Sequence, residues 1–214
     1  MSEPPQLSGA ARVLSDASKE VFRLANRHLV VPMHQRGLAA WLGNPATGWQ
    51  CLLTTTGRRT GRPRPAPLGY IVMDRAAWVL AGYGPRTAWY RNVLAESHVE
   101  LRLPGRDSIE ALAEEVTDPV RRARIIPPLC RSMAIPGSVI GCFPPTATDE
   151  RILECVSWVP LVRISAADGR PIEAGPDDPG GRGWLWRQTA AVGLFLAPVL
   201  LVARLVRTFR HRRW

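Results

Sequence analysis

Lysine is almost absent from this chain: Lys19 is its only one, although Lys and Arg together account for 28 of the 214 residues. The formal net charge of +10 is therefore carried almost entirely by arginine. A guanidinium group presents a planar fork of donors that matches phosphate and carboxylate groups. This balance indicates an anionic ligand, an anionic membrane surface or nucleic acid as a partner.

A metal-binding pattern is missing among the cysteines and histidines. The cysteines at positions 51, 130, 142 and 155 include no CxxC pair and have no histidine at ligand spacing. This excludes the usual zinc sites, so we predict no metal. The first nine residues contain no apolar stretch such as a signal peptide needs, and we expect a cytoplasmic protein with reduced cysteines.

Several common catalytic and nucleotide-binding motifs are also missing. The chain has no Walker loop, no GxGxxG sequence opening a helix and no Ser/His/Asp constellation. No aromatic stripe accompanies the arginines and no helix-turn-helix pattern is present, so we predict that the protein binds no nucleic acid.

The hydrophobic pattern predicts about six strands. They are a β-branched run from about Gln50, a hairpin over residues 65–81, an alternating strand over 99–103 with its partner at 108–116, and a last strand from Cys155 to Ile164. Pro67 is tolerable only where its strand has a free edge or a bulge. We predict a mostly β (α+β) fold, namely a small antiparallel barrel with flanking helices.

Helical segments flank these strands. Residues 10–31 show helical periodicity, and we predict that Pro32 and Gly37 close that helix. Another helix opens at Asp118-Pro119 and is predicted to end at Pro127-Pro128. The chain then divides into an N-terminal helix (1–37), a barrel domain (38–165), a linker rich in Gly, Pro and Asp (166–183) and a C-terminal segment (184–214).

Arginine is concentrated in one turn between two predicted strands. Residues 53–64 read LTTTGRRTGRPR, with two glycines four positions apart and four arginines within seven residues. A hairpin tip of this composition can direct backbone N–H groups and guanidinium groups at one anion. On spacing alone, a solvated surface hairpin stays open as the alternative.

A second, Gly-bounded loop runs into the start of a helix. Residues 82–92 read GYGPRTAWYRN, and helix N-termini attract phosphate. Two aromatic residues on a short helix more often pack into a core than contact a ligand, so core packing is the favoured interpretation of Trp89.

Two segments, LTTTGRRTGRPRPAPL (Leu53–Leu68) and AWYRNVLAESHVEL (Ala88–Leu101), resemble the deazaflavin-dependent nitroreductase family. The resemblance covers about residues 38–165 and implies a flavin-reductase-like split β-barrel that uses coenzyme F-420. It implies an oxidoreductase, a nitroreductase or quinone reductase, that transfers a hydride from reduced F-420 to a nitroaromatic or quinone-like acceptor. FMN on the same fold, or a catalytically silent module that binds a cofactor or lipid at the membrane, are the alternatives.

The resemblance also assigns site residues. The loop would hold the cofactor phosphate and acidic tail, the next strand would run along the deazaflavin ring, and the third-strand end and the following helix start would complete the pocket. The implied cofactor contacts are Arg58, Arg59, Thr60, Arg64, Pro65, Ala66, Pro67, Leu68, Ala81, Gly82, Tyr83, Gly84, Ala88, Trp89, Tyr90, Arg91 and Asn92. Tyr83 and Tyr70 are the substrate-side candidates, and because the deazaflavin carries the hydride, no catalytic triad is needed.

This chain departs from the family pattern in the pocket. Gly69 stands where some relatives place a bulky aromatic residue, and the loop over 82–87 lacks their lysine, for which Arg86 can substitute. The region 127–150 matches poorly.

The C-terminal segment has a membrane-like composition. Residues 190–203 are an uninterrupted apolar or small run, preceded by two tryptophans and followed by arginines. The run is shorter than the ~20 apolar residues of a spanning helix. We therefore expect residues 184–214 to attach the protein to lipids of the inner leaflet at the cytoplasmic face. A terminal helix packed on the barrel or on a second subunit of a homodimer is the alternative.

Overall fold

Six antiparallel strands close into a barrel in the order β1-β2-β3-β6-β5-β4. The protein was analysed as a computed structural model, which describes residues 28, 30–36, 48–133, 146–175 and 178–179. The strands are β1 (Gln50–Thr56), β2 (Pro63–Met73), β3 (Ala76–Leu80), β4 (His98–Arg102), β5 (Ser108–Val116) and β6 (Leu161–Ala166). The predicted mostly β barrel with flanking helices is confirmed.

Four helices lie around the barrel in the described residues: α1 (Val31–Gln35), α2 (Ala88–Ala95), α3 (Pro119–Ser132) and α4 (Asp149–Cys155). The prediction that Pro32 closes a helix was wrong, because Pro32 lies in the first turn of α1, where the lost N–H costs no helical hydrogen bond. The rest of the predicted helix over 10–31 lies outside the described residues, apart from residues 28, 30 and 31.

Two further sequence predictions need correction. Pro127 and Pro128 do not end α3, which continues to Ser132 because Ile125, Ile126 and Leu129 are buried against the barrel. The last strand does not begin at Cys155, because that residue ends α4, and β6 begins only at Leu161.

Apolar side chains form two cores on opposite faces of the sheet. The interior of the barrel holds Leu53, Tyr70, Val79, Leu101 and Ile164. Alternate residues on the outer face, with the apolar sides of α3 and α4, form the second core: Ile71, Trp78, Ile125, Leu129 and Ile152. The alternation within β2, Tyr70 inward and Ile71 outward, follows the two-residue period of a strand.

Proline occupies every second position at the start of β2. Gly57 N donates to Arg62 O at 2.9 Å, and this ladder bond sets which residues of β2 point their N–H groups towards β1. Pro63, Pro65 and Pro67 fall at the alternate positions, whose N–H groups would point away from β1. On that side, β3 pairs only with residues 70–73 in the described sheet. The three missing donors therefore remove no ladder bond.

A strap over residues 172–179, where it is described, crosses the barrel end that carries the β2–β3 turn. Ile172 N donates to Arg75 O, and Val72 N donates to Pro179 O. Asp178 is 1% exposed and bonds the Tyr70 hydroxyl at 2.5 Å, the Arg106 guanidinium and the Gly175 N–H. Part of the segment expected to be a linker is thus bonded to the barrel.

No helix in the described ranges combines the length and apolarity that crossing a membrane requires. The predicted membrane-associated segment, residues 184–214, lies outside those ranges.

Burial makes the side chain of His34 less basic. Its ring is 1% exposed, and neither nitrogen has a hydrogen-bond partner among the described residues. Burial, with a smaller contribution from the charge of Arg102, lowers the pKa of His34 to about 4 from 6.5. The unfolded chain therefore takes up the proton first as the pH falls.

We predict that this difference in proton uptake destabilises the fold in mild acid. Between pH 6.5 and about 4, the contribution of neutral His34 to the free energy of unfolding is progressively lost. Replacing His34 with Leu removes the titration, so wild type should lose stability relative to His34→Leu between neutral pH and the acid end of this window. Urea unfolding at several pH values measures the difference, and a pH-independent difference would contradict the prediction.

Candidate functional site

Strand direction brings the predicted site segments to one end of the barrel. The arginine loop, Gly57–Arg62, joins β1 to β2, and β3 ends at the same side because it pairs antiparallel with β2. The turn over residues 81–87 follows β3 directly and leads into α2. The strap lies at the opposite end, beside the β2–β3 turn.

The arginine loop is a compact turn whose backbone bonds are internal. Gly57 O accepts from Thr60 N at 2.9 Å and from Gly61 N at 2.8 Å, and Gly61 has a φ of +64°. A Cβ at Gly57 would lie 3.0 Å from Thr60 Oγ1 and 3.1 Å from Arg62 O. Glycine is therefore favoured at both positions, by close approach at residue 57 and by backbone conformation at residue 61.

Asn92 of α2 connects this loop to the barrel. Its Oδ1 atom accepts from the backbone N of Arg58 at 3.3 Å and from Arg58 Nη1 at 3.1 Å. Its Nδ2 atom donates to Thr55 Oγ1 at 3.0 Å, and Thr55 Oγ1 donates to Arg64 O at 3.4 Å. Both Asn92 and Thr55 are buried, at 5% and 1% exposure, so the Asn92–Thr55 bond is shielded from water, whereas the bonds to the exposed Arg58 are partly buried.

The remaining guanidinium groups of the loop end face solvent. Arg59, Arg62 and Arg64 are exposed, and within the described part of the chain none of them has a carboxylate partner. Exposed arginines without acidic neighbours make this end of the barrel electropositive. The donor set fits an anionic group such as a phosphate or a polycarboxylate.

The turn before α2 is fixed by its own bonds. Gly84 O accepts from Thr87 N at 3.0 Å and from Thr87 Oγ1 at 2.7 Å. Gly84 has a φ of +76°, and its Cβ position would lie 2.5 Å from Cζ3 of Trp158. Trp158 thus packs directly on the turn, and a side chain at residue 84 is excluded both by conformation and by space.

The structure separates the predicted site residues into exposed and buried groups. At the loop end, Arg58, Arg59, Thr60, Arg64, Pro65, Tyr83, Ala88 and Arg91 are exposed, and Ala66, Pro67, Leu68 and Gly82 are half-buried. Ala81, Gly84, Trp89, Tyr90 and Asn92 are buried. Trp89 and Tyr90 belong to the barrel core, with ring centroids 6.2 Å apart.

Tyr90 makes a partly buried polar contact that the sequence did not indicate. Its hydroxyl donates to Glu115 Oε2 at 2.7 Å. Burial and this bond raise the pKa of Tyr90 above its usual value. The contact ties α2 to β5, so the helix that carries Asn92 is held to two strands of the barrel.

The two substrate-side candidates lie in different environments. Tyr83 is 50% exposed at the loop end, whereas Tyr70 is fully buried and its hydroxyl donates to Asp178. Burial, reinforced by the charge of Asp178, raises the pKa of Tyr70 well above its usual value. Of the two tyrosines, Tyr83 is therefore the one whose side chain a substrate can reach in this structure.

Sequence reasoning missed four residues that shape this end or its support: Trp158, Asp178, Arg106 and Glu115. Each meets its partner across 25 or more positions of the chain, as with Tyr90 and Glu115 or Tyr70 and Asp178. No local periodicity or motif signals a contact of that separation.

The side chain of Met133 fills the space beside Gly69. A Cβ at Gly69 would lie 2.8 Å from Cγ of Met133, which follows α3. A side chain at residue 69 would therefore displace Met133.

A surface groove of about 430 Å³ lies elsewhere, along the outer face between the β2–β3 turn and the start of α3. Its lining includes Asp74, Asp118, Arg121, Arg124 and Arg163 but no residue of the arginine loop or α2. Its charges are largely satisfied internally, as by the 2.6 Å bond from Arg124 to Asp74. The arginine loop, not this groove, is the candidate site.

Residues 27–134 match the model of the F420H(2)-dependent quinone reductase family. The chain belongs to this family. The match spans the arginine loop, β2, β3 and α2, so it covers the segments that form the loop end. The protein is accordingly an oxidoreductase that depends on reduced F-420, and the FMN alternative has no support.

Solved structures with a similar barrel include three of interest. A conserved hypothetical protein from Mycobacterium tuberculosis is 22% identical, covering 60% of this chain and 78% of its own, with a TM-score of 0.42. An F420-H2 dependent reductase is 20% identical, covering 54% and 93%, with a TM-score of 0.38. The heme storage protein HutZ from Vibrio cholerae is 13% identical, covering 68% and 92%, with a TM-score of 0.41. At such scores these likenesses carry no inference about function.

The buried environment of Tyr70 generates a stability prediction. Replacing Tyr70 with Phe leaves Asp178 Oδ1 buried without its donor, and an unsatisfied buried acceptor of this kind costs about 1–3 kcal/mol. Tyr70→Phe should therefore lower the free energy of unfolding by about that amount. Urea unfolding of Tyr70→Phe and wild type measures the difference. Equal stability of the two proteins would show that the Tyr70–Asp178 bond does not support the fold.

Proposed function

We propose that this reductase transfers a hydride from reduced F-420 to a quinone-like or nitroaromatic acceptor. The observation that carries the proposal is the exposed arginine cluster at the loop end, of which Arg58 is bonded to the barrel through Asn92. Family membership supports the cofactor, and the electropositive donor set supports the anionic half of that cofactor.

Different residues of the loop end are proposed to bind different parts of the cofactor. Arg58 and Arg59, with the backbone of Thr60, are placed to hold the phosphate and acidic tail. The stretch of β2 from Arg64 to Leu68, which β3 does not pair with in the described sheet, is placed to run along the aromatic ring system. When bound, F-420 supplies the hydride chemistry, while the protein contributes binding, orientation and electrostatics.

The acceptor side is assigned to the turn that precedes α2. Tyr83 is half-exposed there, and Trp158 holds the backbone of the same turn through Gly84. A planar acceptor that stacks on an exposed aromatic ring would be favoured at this position. Tyr83 is therefore proposed as the residue that contacts the acceptor.

The proposal also includes two larger partners, namely membrane lipids and a second copy of the chain. The apolar and basic composition of residues 184–214 supports attachment to inner-leaflet lipids, which would suit a lipid-soluble quinone. A homodimer is likewise proposed, with the terminal segment as a candidate contact.

The cofactor assignment predicts a loss of binding when the loop arginines are removed. Each charged hydrogen bond to an anion contributes about 1.5–3 kcal/mol, so Arg58→Ala/Arg59→Ala should weaken F-420 binding by a few kcal/mol. Fluorescence titration of purified full-length protein with F-420 measures the affinity.

A control variant removes the same charge at another surface. Arg121 and Arg124 are exposed residues of α3, and the Arg124–Asp74 pair contributes little because both partners are solvated. Arg121→Ala/Arg124→Ala should retain the wild-type affinity. Equal affinities for the loop variant and this control would reject the cofactor site.

A further inference from the structure

We propose that Asn92 is a positioning residue that holds Arg58 towards the anionic part of the cofactor without cancelling its charge. This inference rests on the proposed function, since it names how one arginine of that site is presented. It also changes the role of Asn92 from a cofactor contact, as the family resemblance implies, to a support that acts through Arg58.

The hydrogen-bonding capacity of the side chain is nearly used up inside the protein. An asparagine amide offers two N–H donors and one oxygen with two lone pairs. Both lone pairs of Oδ1 are directed at Arg58, one at its backbone N and one at its Nη1, and Nδ2 donates to Thr55 Oγ1. One donor of a side chain that is 5% exposed is all that is left for a ligand.

A neutral acceptor orients a guanidinium group differently from a carboxylate. A carboxylate at residue 92 would form a stronger bond with Arg58 but would also cancel the charge that an anionic ligand meets. The amide oxygen fixes Nη1 at 3.1 Å and leaves the full positive charge in place. Because Arg58 Nη1 is held on the protein side, the other donors of the guanidinium fork are left for an anion.

Asn92 also links the two arginines that flank the loop. Through Thr55 Oγ1, which donates to Arg64 O, the amide is connected to the backbone of β2 at Arg64. The Arg64 side chain lies close to the loop as well, since its Cγ is 3.3 Å from the Cβ position of Gly57. Hydrogen bonds through the buried amide of Asn92 thus connect Arg58 to the backbone of Arg64.

Two substitutions at Asn92 separate orientation from charge. Asn92→Asp keeps an oxygen facing Arg58 but cancels its charge, whereas Asn92→Ala releases Arg58 with its charge intact. In an F-420 fluorescence titration, Asn92→Asp should weaken binding by about tenfold or more and make it less sensitive to salt. Asn92→Ala should weaken binding by a smaller factor with the salt sensitivity of wild type. The exposed Leu94→Ala on the same helix is the control that retains wild-type binding.

A double-variant cycle tests whether Asn92 acts through Arg58. If it does, the loss of F-420 affinity caused by Asn92→Ala shrinks severalfold when Arg58 is already alanine, because interacting residues are not additive. A loss of equal size in both backgrounds means that Asn92 contacts the ligand itself and overturns the inference. Equal salt sensitivity of the Asn92→Asp and Asn92→Ala variants overturns it as well.

Hydrogen exchange in the free protein separates this inference from the proposed function. The Arg58 backbone amide should exchange faster in Asn92→Ala than in wild type, because its acceptor is removed, and Thr55→Val should speed it less. Unchanged exchange overturns the inference whatever the cofactor result. Faster exchange, with F-420 affinity unchanged in every Asn92 and Arg58 variant, overturns the proposed function and with it any role of the clamp in binding.

Discussion

The buried amide of Asn92 joins α2 to β1 and the adjoining arginine loop, whose bonded residues lie 34 and 37 positions earlier in the chain. It receives two hydrogen bonds from Arg58 in the arginine loop, gives one to Thr55 in β1, and stands on a helix that Tyr90 fastens to β5 through Glu115. Among the described residues, the other backbone bonds of the loop are those within the turn and the pairing of its two strand ends. A flexible arginine loses conformational entropy on binding an anion, and prior fixation reduces that cost. The fixation of Arg58 by Asn92 is of this kind.

The two ends of the barrel carry charged groups of different kinds. At the loop end, arginines face solvent and none of them has a carboxylate partner in the described part of the chain. At the strap end, the carboxylate of Asp178 is buried and matched by Tyr70, Arg106 and a backbone N–H. A buried charge is tolerated only when such partners satisfy it. At the loop end Glu115 bonds Tyr90 and not an arginine of the loop, whereas the Asp178 contacts at the strap end support the structure.

Sequence reasoning succeeded where the signal was local. The two-residue alternation of the strands, the Gly-bounded arginine turn and the capping residue Asp118 before α3 all act over a few positions, and the structure shows each of them. It failed where distant packing decides the outcome. Pro127 and Pro128 suggest the end of a helix, but the burial of Ile125, Ile126 and Leu129 against the outer face of the barrel outweighs two missing helical hydrogen bonds. Tyr70 was predicted as a substrate-side candidate, and only the fold reveals that its hydroxyl donates to Asp178, 108 residues later.

The alternating prolines of β2 have a consequence beyond the barrel. Where β3 stops pairing, the edge of β2 from Pro63 to Leu68 is a stretch of sheet to which another chain could add a strand. An incoming strand needs N–H donors at every second residue of its host, and at each of those positions within this stretch the host carries proline. The edge therefore offers no regular row of donors to a neighbouring polypeptide. The prolines thereby protect this stretch of β2 against edge-to-edge association of two chains.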